Sequence, residues 1–136
     1  MPTPTSFTIR VTPHLRVRNT AKAIEFYRQA FGAVEVGRYT DPEGVIAYAG
    51  LSIGDAKLSL AEESPGSGSP SPQTVGHTTI CIDLIVPNVD EMVNRAVALG
   101  AKIQFPVENQ FYGIRQGRIV DPFGHQWSIG SPLEGA

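Results

Sequence analysis

Apolar and polar positions alternate along the chain in two patterns, one typical of strands and one typical of helices. Residues 79–86 alternate, with four apolar side chains on one face: Ile80, Ile82, Leu84 and Val86. This is the pattern of a half-buried strand. Around 20–31 and 89–99 the apolar positions recur instead with helical spacing. Residues suited to begin and end these two helices stand at the expected places: Asn19 and Gly32, then Asn88 and Gly100.

Shorter β-like stretches fill most of the remaining chain. One stretch, 8–18, precedes the first helix, although Pro13 within it lacks an N–H and predicts an edge strand or a bend there. After each helix the pattern predicts three further strands, at 34–39, 45–51 and 57–61 and then at 102–107, 116–120 and 125–129. The predicted order is therefore β-α-β-β-β, occurring twice.

The two halves also match in sequence. Val17-Arg18-Asn19 stands 69 residues before Val86-Pro87-Asn88, and Lys57–Leu60 stands 69 residues before Gln126–Ile129. An internal repeat of this length indicates a duplicated structural unit. We therefore predict an α+β fold of two βαβββ modules, with these bounds: a loose tail at 1–7, the first module at 8–63, a flexible Ser/Pro/Gly linker at 64–76, the second module at 77–131 and a tail at 132–136.

Composition and charge exclude several classes of protein. The formal net charge is −2 and the isoelectric point is about 5.9, whereas nucleic-acid binders usually carry a basic excess. No apolar run approaches the ~20 residues of a membrane span, and residues 1–8 lack the pattern of a signal peptide. With Cys81 as the single cysteine, we expect a cytoplasmic protein without a nucleic-acid or membrane partner.

Several phrases of the sequence resemble one known family. They are the helix phrase Ala23-Ile24-Glu25-Phe26-Tyr27 that ends in Phe31-Gly32, and the turn Asp121-Pro122-Phe123-Gly124-His125. In this order they resemble the vicinal oxygen chelate superfamily, which includes glyoxalases, bleomycin-resistance proteins and extradiol dioxygenases. Thr12-Pro13-His14-Leu15, the Ser69–Pro72 segment and Phe111-Tyr112-Gly113 are similar to its PhnB-like branch.

The resemblance implies that each module forms a curved sheet, with helices on the convex face and a ligand pocket in a cup on the concave face. Since strand side chains alternate between faces, residues opposite the helix-facing set point into the cup. Phe111 and Tyr112 lie in a loop expected near its mouth, where they would stack on a ligand, close the core or contact a second copy. The predicted pocket residues are Thr12, His14, Arg16, Lys57, Ser59, Cys81, Asp83, Phe111, Tyr112 and Ser128.

The resemblance also implies where a metal would bind in a glyoxalase-like enzyme. The four ligand positions fall on Thr12, Ser59, Cys81 and Ser128, and none of these is a His, Glu, Gln or Asp. Hydroxyl groups are weak ligands for divalent metals, and one thiolate does not make a site. We therefore predict no metal and no other cofactor, while a relocated set of His14, His77 and Asp83 stays open as an alternative.

These considerations favour a metal-free binding protein. Its expected ligand is a partly aromatic small molecule, such as an antibiotic or another drug-like compound that the protein sequesters, as in antibiotic resistance. The alternatives are a metal-dependent lyase, isomerase or dioxygenase with relocated ligands, and a dimeric scaffold without a ligand. Because the sheets would leave open edges, we expect a homodimer.

Overall fold

The computed structural model describes residues 8–133 and contains the predicted duplication. The first module consists of β1 (His14–Val17), α1 (Thr20–Phe31), β2 (Val34–Thr40), β3 (Ile46–Ile53) and β4 (Ala56–Glu62). A 3₁₀ turn (Pro65–Ser67) and a one-turn helix, α2 (Pro72–Val75), follow. The second module consists of β5 (Cys81–Ile85), α3 (Val89–Ala98), β6 (Lys102–Asn109), β7 (Ile114–Val120) and β8 (Gln126–Pro132).

Each module contributes one open four-stranded sheet. The strand orders are β1-β4-β3-β2 and β5-β8-β7-β6, so the two sheets have the same topology. In each, the first strand runs parallel to the last, and the other pairs are antiparallel. These mixed sheets are not closed into a barrel, and the α+β class with two βαβββ modules is confirmed.

The register of the strands determines which side chains face the helices. Leu15 pairs with Leu60 and Ile82 pairs with Trp127, and these residues contribute to the hydrophobic core. The neighbouring pairs His14–Ser59 and Asp83–Ser128 lie on the opposite face of their sheets. Ile80 is an exception to the predicted face, because β5 begins one residue later and its side chain is 64% exposed.

The duplication extends to how each helix begins. The Glu62 carboxylate, at the end of β4, accepts hydrogen bonds from the backbone N–H groups of Asn19 and Thr20. At the equivalent place in the second module, the Ser131 hydroxyl accepts from the Val89 N–H and donates to the Val86 carbonyl. The first N–H groups of a helix have no partner within it. The last strand of each module therefore supplies a cap for that module's helix.

The two modules share one hydrophobic core. Helix α1 packs against α3 and against the second module, where the ring of Phe31 lies 4.7 Å from that of Trp127 between centroids. The Tyr27 hydroxyl donates to the Asp121 carboxylate in the β7–β8 turn. The chain therefore folds as one unit across residues 8–133, although its halves repeat.

Two segments differ from their predictions. Pairing in the first strand is restricted to His14–Val17, so the predicted strand over 8–18 is too long; the Pro13 carbonyl accepts from Ser59 N–H, but proline has no N–H to extend the ladder. The predicted flexible linker at 64–76 instead contains the 3₁₀ turn and α2. Glu63 holds this segment by accepting from the Ser71 N–H and the Thr74 hydroxyl.

None of the helices in residues 8–133 has the length and apolarity that a membrane crossing requires.

Candidate functional site

A cleft with a largely apolar lining lies between the extended residues before β1, the β3–β4 hairpin and β5. Its volume is about 370 Å³. We call it the tryptophan cleft, because it reaches the buried indole of Trp127, and it is lined by Arg10, Val11, Thr12, Pro13, Ile53, Asp55, Ala56, Lys57, Leu58, Ile82, Asp83, Leu84 and Trp127. Three predicted pocket residues, Thr12, Lys57 and Asp83, therefore share this cleft.

Charges of both signs surround the apolar floor of the tryptophan cleft. Ile82 and Leu84 pack against the core, whereas the side chains of Arg10, Asp55, Lys57 and Asp83 belong to exposed residues. Within residues 8–133, none of these four charged groups forms an ion pair. An apolar pocket with a few charged groups at its rim is typical of a small-molecule site, since the floor binds the ligand body and the charges orient it.

A second cleft, of about 310 Å³, lies between β1, the segment that leads to β5 and the start of β8. We call it the histidine cleft, because it collects all three histidines of the chain. It is lined by His14, Arg16, Pro70, Pro72, Val75, His77, Thr78, Thr79 and His125. His14 and Arg16 were predicted as pocket residues, whereas His125 was not.

Hydrogen bonding and stacking hold His14 in place at this cleft. Its Nδ1 lies 2.7 Å from the hydroxyl oxygen of Ser59, the residue opposite it on β4. Its ring stacks with that of Tyr48 at 6.5 Å between centroids. Burial lowers the pKa of His14, and the positive charge of Arg16 lowers it further. A neutral imidazole is therefore favoured at neutral pH.

A third cleft, of about 320 Å³, lies on the sheet of the second module beside the β6–β7 hairpin. This hairpin cleft is lined by Phe105, Pro106, Glu108, Gln110, Tyr112, Gln116, Gly117, Arg118 and Ser128. The Arg118 guanidinium lies 5.2 Å from the centroid of the Phe105 ring. Tyr112 and Ser128, which were predicted as pocket residues, line this cleft.

The three remaining predicted pocket residues lie outside these clefts. Ser59 is buried beneath His14, and Cys81 is half-buried at the start of β5. Phe111 is 98% exposed at the tip of the β6–β7 hairpin, where its ring meets Tyr112 edge to face. Closing the core is therefore excluded as the role of Phe111. Within one chain, the predicted residues are divided among separate clefts and do not surround one cavity.

Neither candidate metal set fits an ion in this structure. The inherited positions carry two serines, a threonine and a half-buried cysteine; Thr12 lines the tryptophan cleft, Ser128 lines the hairpin cleft, and Ser59 and Cys81 line none of the three. Of the relocated set, His14 and His77 line the histidine cleft, whereas Asp83 lines the tryptophan cleft. In the described part of the chain, no three His, Cys, Asp or Glu side chains are placed to hold one ion.

Several residues of the tryptophan cleft were missed by the sequence analysis. Asp55 lies in the tight turn between β3 and β4, and Trp127 lies in β8, on the strand face opposite the predicted pocket residue Ser128. Trp127 is buried against Tyr27 and Phe31 of α1, and it also lines the cleft. Position in a strand predicts the face on which a side chain lies, but not which loop lies against it.

The chain matches known proteins over most of its length. The model of the Glyoxalase/Bleomycin resistance protein/Dioxygenase superfamily matches residues 9–129. An uncharacterized protein of Mycobacterium bovis is 40% identical over 126 residues, which cover 90% of this chain and 83% of that protein.

Solved structures have the same fold. TioX from Micromonospora sp. ML1 is similar with a TM-score of 0.72 and 27% identity, over 93% of this chain and all of TioX (100%). The PhnB protein from Bacillus cereus is similar with a TM-score of 0.70 and 15% identity, over 90% of this chain and 99% of that one. With the matching family model and the duplicated βαβββ topology, these likenesses show that the chain belongs to the glyoxalase/bleomycin resistance/dioxygenase superfamily, with a PhnB protein among its structural neighbours.

Proposed function

We propose that this chain is a metal-independent binding protein for a small, partly aromatic molecule, which it takes up in the tryptophan cleft. The observation that carries the proposal is the combination, in one cleft, of an apolar floor with unpaired charges of both signs at the rim. A volume of about 370 Å³ falls within the range of small-molecule sites.

The lining residues favour a ligand with an aromatic body and charged substituents. Leu58, Ile82 and Leu84 offer apolar contacts, and the edge of Trp127 offers an aromatic one. Lys57 can bind a carboxylate, and Asp83 can bind an amine, since neither charge is neutralised by an ion pair within residues 8–133. A zwitterionic aromatic compound therefore matches the cleft better than a purely apolar one.

The donor set argues against the metal-dependent alternative. A glyoxalase-like enzyme would need carboxylate, amide or imidazole groups converging on one ion. Here the inherited positions offer hydroxyls and one thiol, and Asp83 lies in a different cleft from His14 and His77. Elemental analysis of the purified protein tests this point, and a stoichiometric divalent metal would restore the enzyme hypothesis.

Binding can be measured directly because Trp127 is the only tryptophan of the chain. The probes are 4-nitrobenzoate, 4-nitrobenzylamine and 4-nitrophenylalanine, which carry one quenching ring with a negative charge, a positive charge or both. We expect saturable quenching of Trp127 fluorescence, strongest with the zwitterion. Lys57→Gln should selectively weaken the binding of 4-nitrobenzoate, and Asp83→Asn should selectively weaken the binding of 4-nitrobenzylamine.

Lys22→Gln is the matched control for these variants, because Lys22 is exposed on α1 and lies outside the cleft. It should leave all three titrations unchanged. Quenching that is linear and unsaturable with every probe, or equal effects of Lys57→Gln and Lys22→Gln, would rule out the tryptophan cleft as the site.

The homodimer is also part of the proposal. Large apolar side chains are exposed on the strands of both modules, including Val36, Tyr39, Tyr48, Ile85 and Phe105. Exposed apolar surface and open sheet edges are commonly covered by a second copy. Light scattering at micromolar concentration should give twice the monomer mass, and a monomer would contradict this assembly.

A further inference from the structure

The histidine cleft differs from the rest of the molecule in its charge. The chain has 13 acidic and 11 basic residues, but within its described part no carboxylate side chain lines this cleft. One guanidinium, three imidazoles and two threonine hydroxyls line it instead. All of these groups can donate hydrogen bonds, so the cleft is chemically suited to an acceptor-rich, negatively charged group.

Arg16 is oriented but not neutralised. Its Nη1 donates to the backbone carbonyl of Glu62 at 3.1 Å, which fixes the side chain without using a carboxylate. In residues 8–133 the guanidinium forms no ion pair. A guanidinium has five N–H donors, and its planar geometry suits two parallel hydrogen bonds to an oxyanion. Most of these donors therefore stay available to a ligand.

The backbone of Arg16 is also held from the second module. His125 Nε2 lies 2.9 Å from the Arg16 carbonyl oxygen. A carbonyl oxygen only accepts hydrogen bonds, so Nε2 carries the hydrogen. His125 is 9% exposed, and its backbone N–H donates to the Asp121 carboxylate. His125 is thus a positioning residue that ties β1 to the β7–β8 turn.

His14 is oriented in a similar way. The contact between its Nδ1 and buried Ser59, together with the stacking on Tyr48, fixes the ring and leaves Nε2 for other partners. His77, Thr78 and Thr79 face the same cleft from the segment before β5. The donors left for a ligand thus come from two separate parts of the chain, β1 and the segment before β5, which the fold brings together.

We propose that the histidine cleft is a binding site for a small oxyanion, with Arg16 as its principal contact and His14 and His77 as additional ones. The site is separate from the tryptophan cleft, because the two share no lining residue. It therefore does not depend on the function proposed above. The chemistry fits a phosphate or phosphonate group and also a carboxylate, and the experiment distinguishes them.

The test is calorimetric titration of the full chain with inorganic phosphate and, separately, with acetate. We expect saturable binding of at least one of these anions. Arg16→Gln should weaken it about tenfold or more, as expected for the loss of charge-assisted hydrogen bonds. Phosphate binding without acetate binding would assign a tetrahedral anion, and the reverse would assign a carboxylate.

The control is Arg118→Gln, which removes an arginine of the hairpin cleft and should leave the affinity unchanged. Arg16→Gln also removes the hydrogen bond to the Glu62 carbonyl, so a second measurement uses the unsubstituted protein. In its NMR spectrum, the imidazole signals of His14 and His77 should shift when the anion is added. The proposal is overturned by the absence of saturable binding, by equal effects of the two arginine variants, or by unshifted His14 and His77 signals.

Discussion

The Tyr27 hydroxyl, on the first module's helix, donates to the Asp121 carboxylate in the last turn of the second module. The same carboxylate oxygen accepts from the Trp127 indole N–H at 2.9 Å, while the other oxygen accepts from two backbone N–H groups of its own turn. The β2–β3 turn of the first module has the same Asp-Pro-x-Gly pattern, and its Asp41 accepts the same two backbone bonds, from Glu43 and Val45, but Asp41 is not buried. The same local turn therefore forms a buried junction only where Tyr27 and Trp127 pack against it.

Tyr27→Phe should destabilise the protein by about 1–3 kcal/mol, because it removes a donor from a buried carboxylate without changing the ring packing. Burial raises the pKa of Tyr27, and the negative charge of Asp121 raises it further, so the phenol stays a donor at neutral pH. Urea unfolding measures the change. Tyr39→Phe, at an exposed tyrosine, is the control and should leave the free energy of unfolding nearly unchanged. Equal effects of the two variants would show that the junction adds no stability.

Ser131→Ala should lower the free energy of unfolding by about 1–3 kcal/mol, because it leaves the buried Val89 N–H and the Val86 carbonyl without the hydroxyl that both bond. The loss should appear in thermal or urea unfolding, and amide exchange should be fastest in the first turn of α3. Ser67→Ala, at an exposed serine, provides the comparison. If the amides in the first turn of α3 exchanged at their original rate in Ser131→Ala, the Ser131 hydroxyl would not cap this helix.

Gly117→Ala should destabilise by about 1–3 kcal/mol, as expected for overpacking against backbone. A Cβ at Gly117 would lie 2.8 Å from a Val107 methyl carbon and 3.0 Å from Val107 backbone atoms, so β6 would have to move. Gly37 offers a matched strand position where a Cβ meets no atom within 4 Å. Gly37→Ala should therefore be nearly neutral in the same unfolding experiment, and a similar loss in both variants would contradict the packing argument.

Much of this fold could be predicted from the sequence because local signals and the repeat agree. The helices were predicted at 20–31 and 89–99 and lie at Thr20–Phe31 and Val89–Ala98. The Asn19 and Asn88 side chains accept from the N–H groups three residues later, as their cap positions predicted. The order of segment 64–76 could not be predicted, since its composition is that of a linker and its order depends on side-chain contacts with the neighbouring Glu63 and with Arg18 before α1.

The candidate site was only partly predictable, for a related reason. Alternation along β1 and β4 places His14 and Ser59 on one face, and the structure adds that they contact each other. The alternation does not predict that His125, 109 residues from Arg16, bonds the Arg16 carbonyl. Nor does it predict that Trp127 contributes to a cleft floor. These contacts arise where the two modules meet, and no periodicity within either module encodes that meeting.

Glu63 should make the order of segment 64–76 depend on pH. Hydrogen bonds from the Thr74 hydroxyl and the Ser71 N–H, together with the Arg18 contact, lower the pKa of Glu63 from 4.5 to about 2. A carboxyl group whose pKa is lower in the folded state adds stability above its unfolded pKa and loses it as the pH falls through the folded one. The contribution of Glu63 is therefore complete above about pH 4.5 and declines toward pH 2.

Glu63→Gln should accordingly be less stable than the original protein at neutral pH, and the difference should shrink as the pH falls through that window. Urea unfolding at a series of pH values measures the difference, and amide exchange at Ser71 tests whether the loss is local to the segment. The control is Glu43→Gln, at an exposed glutamate in the β2–β3 turn, which should differ little from the original protein across the series. Suppose that the difference in the free energy of unfolding between Glu63→Gln and the original protein stays constant down to the lowest pH. The loss would then be the same whether Glu63 is ionised or protonated, and the ionised carboxylate would not be what holds the segment.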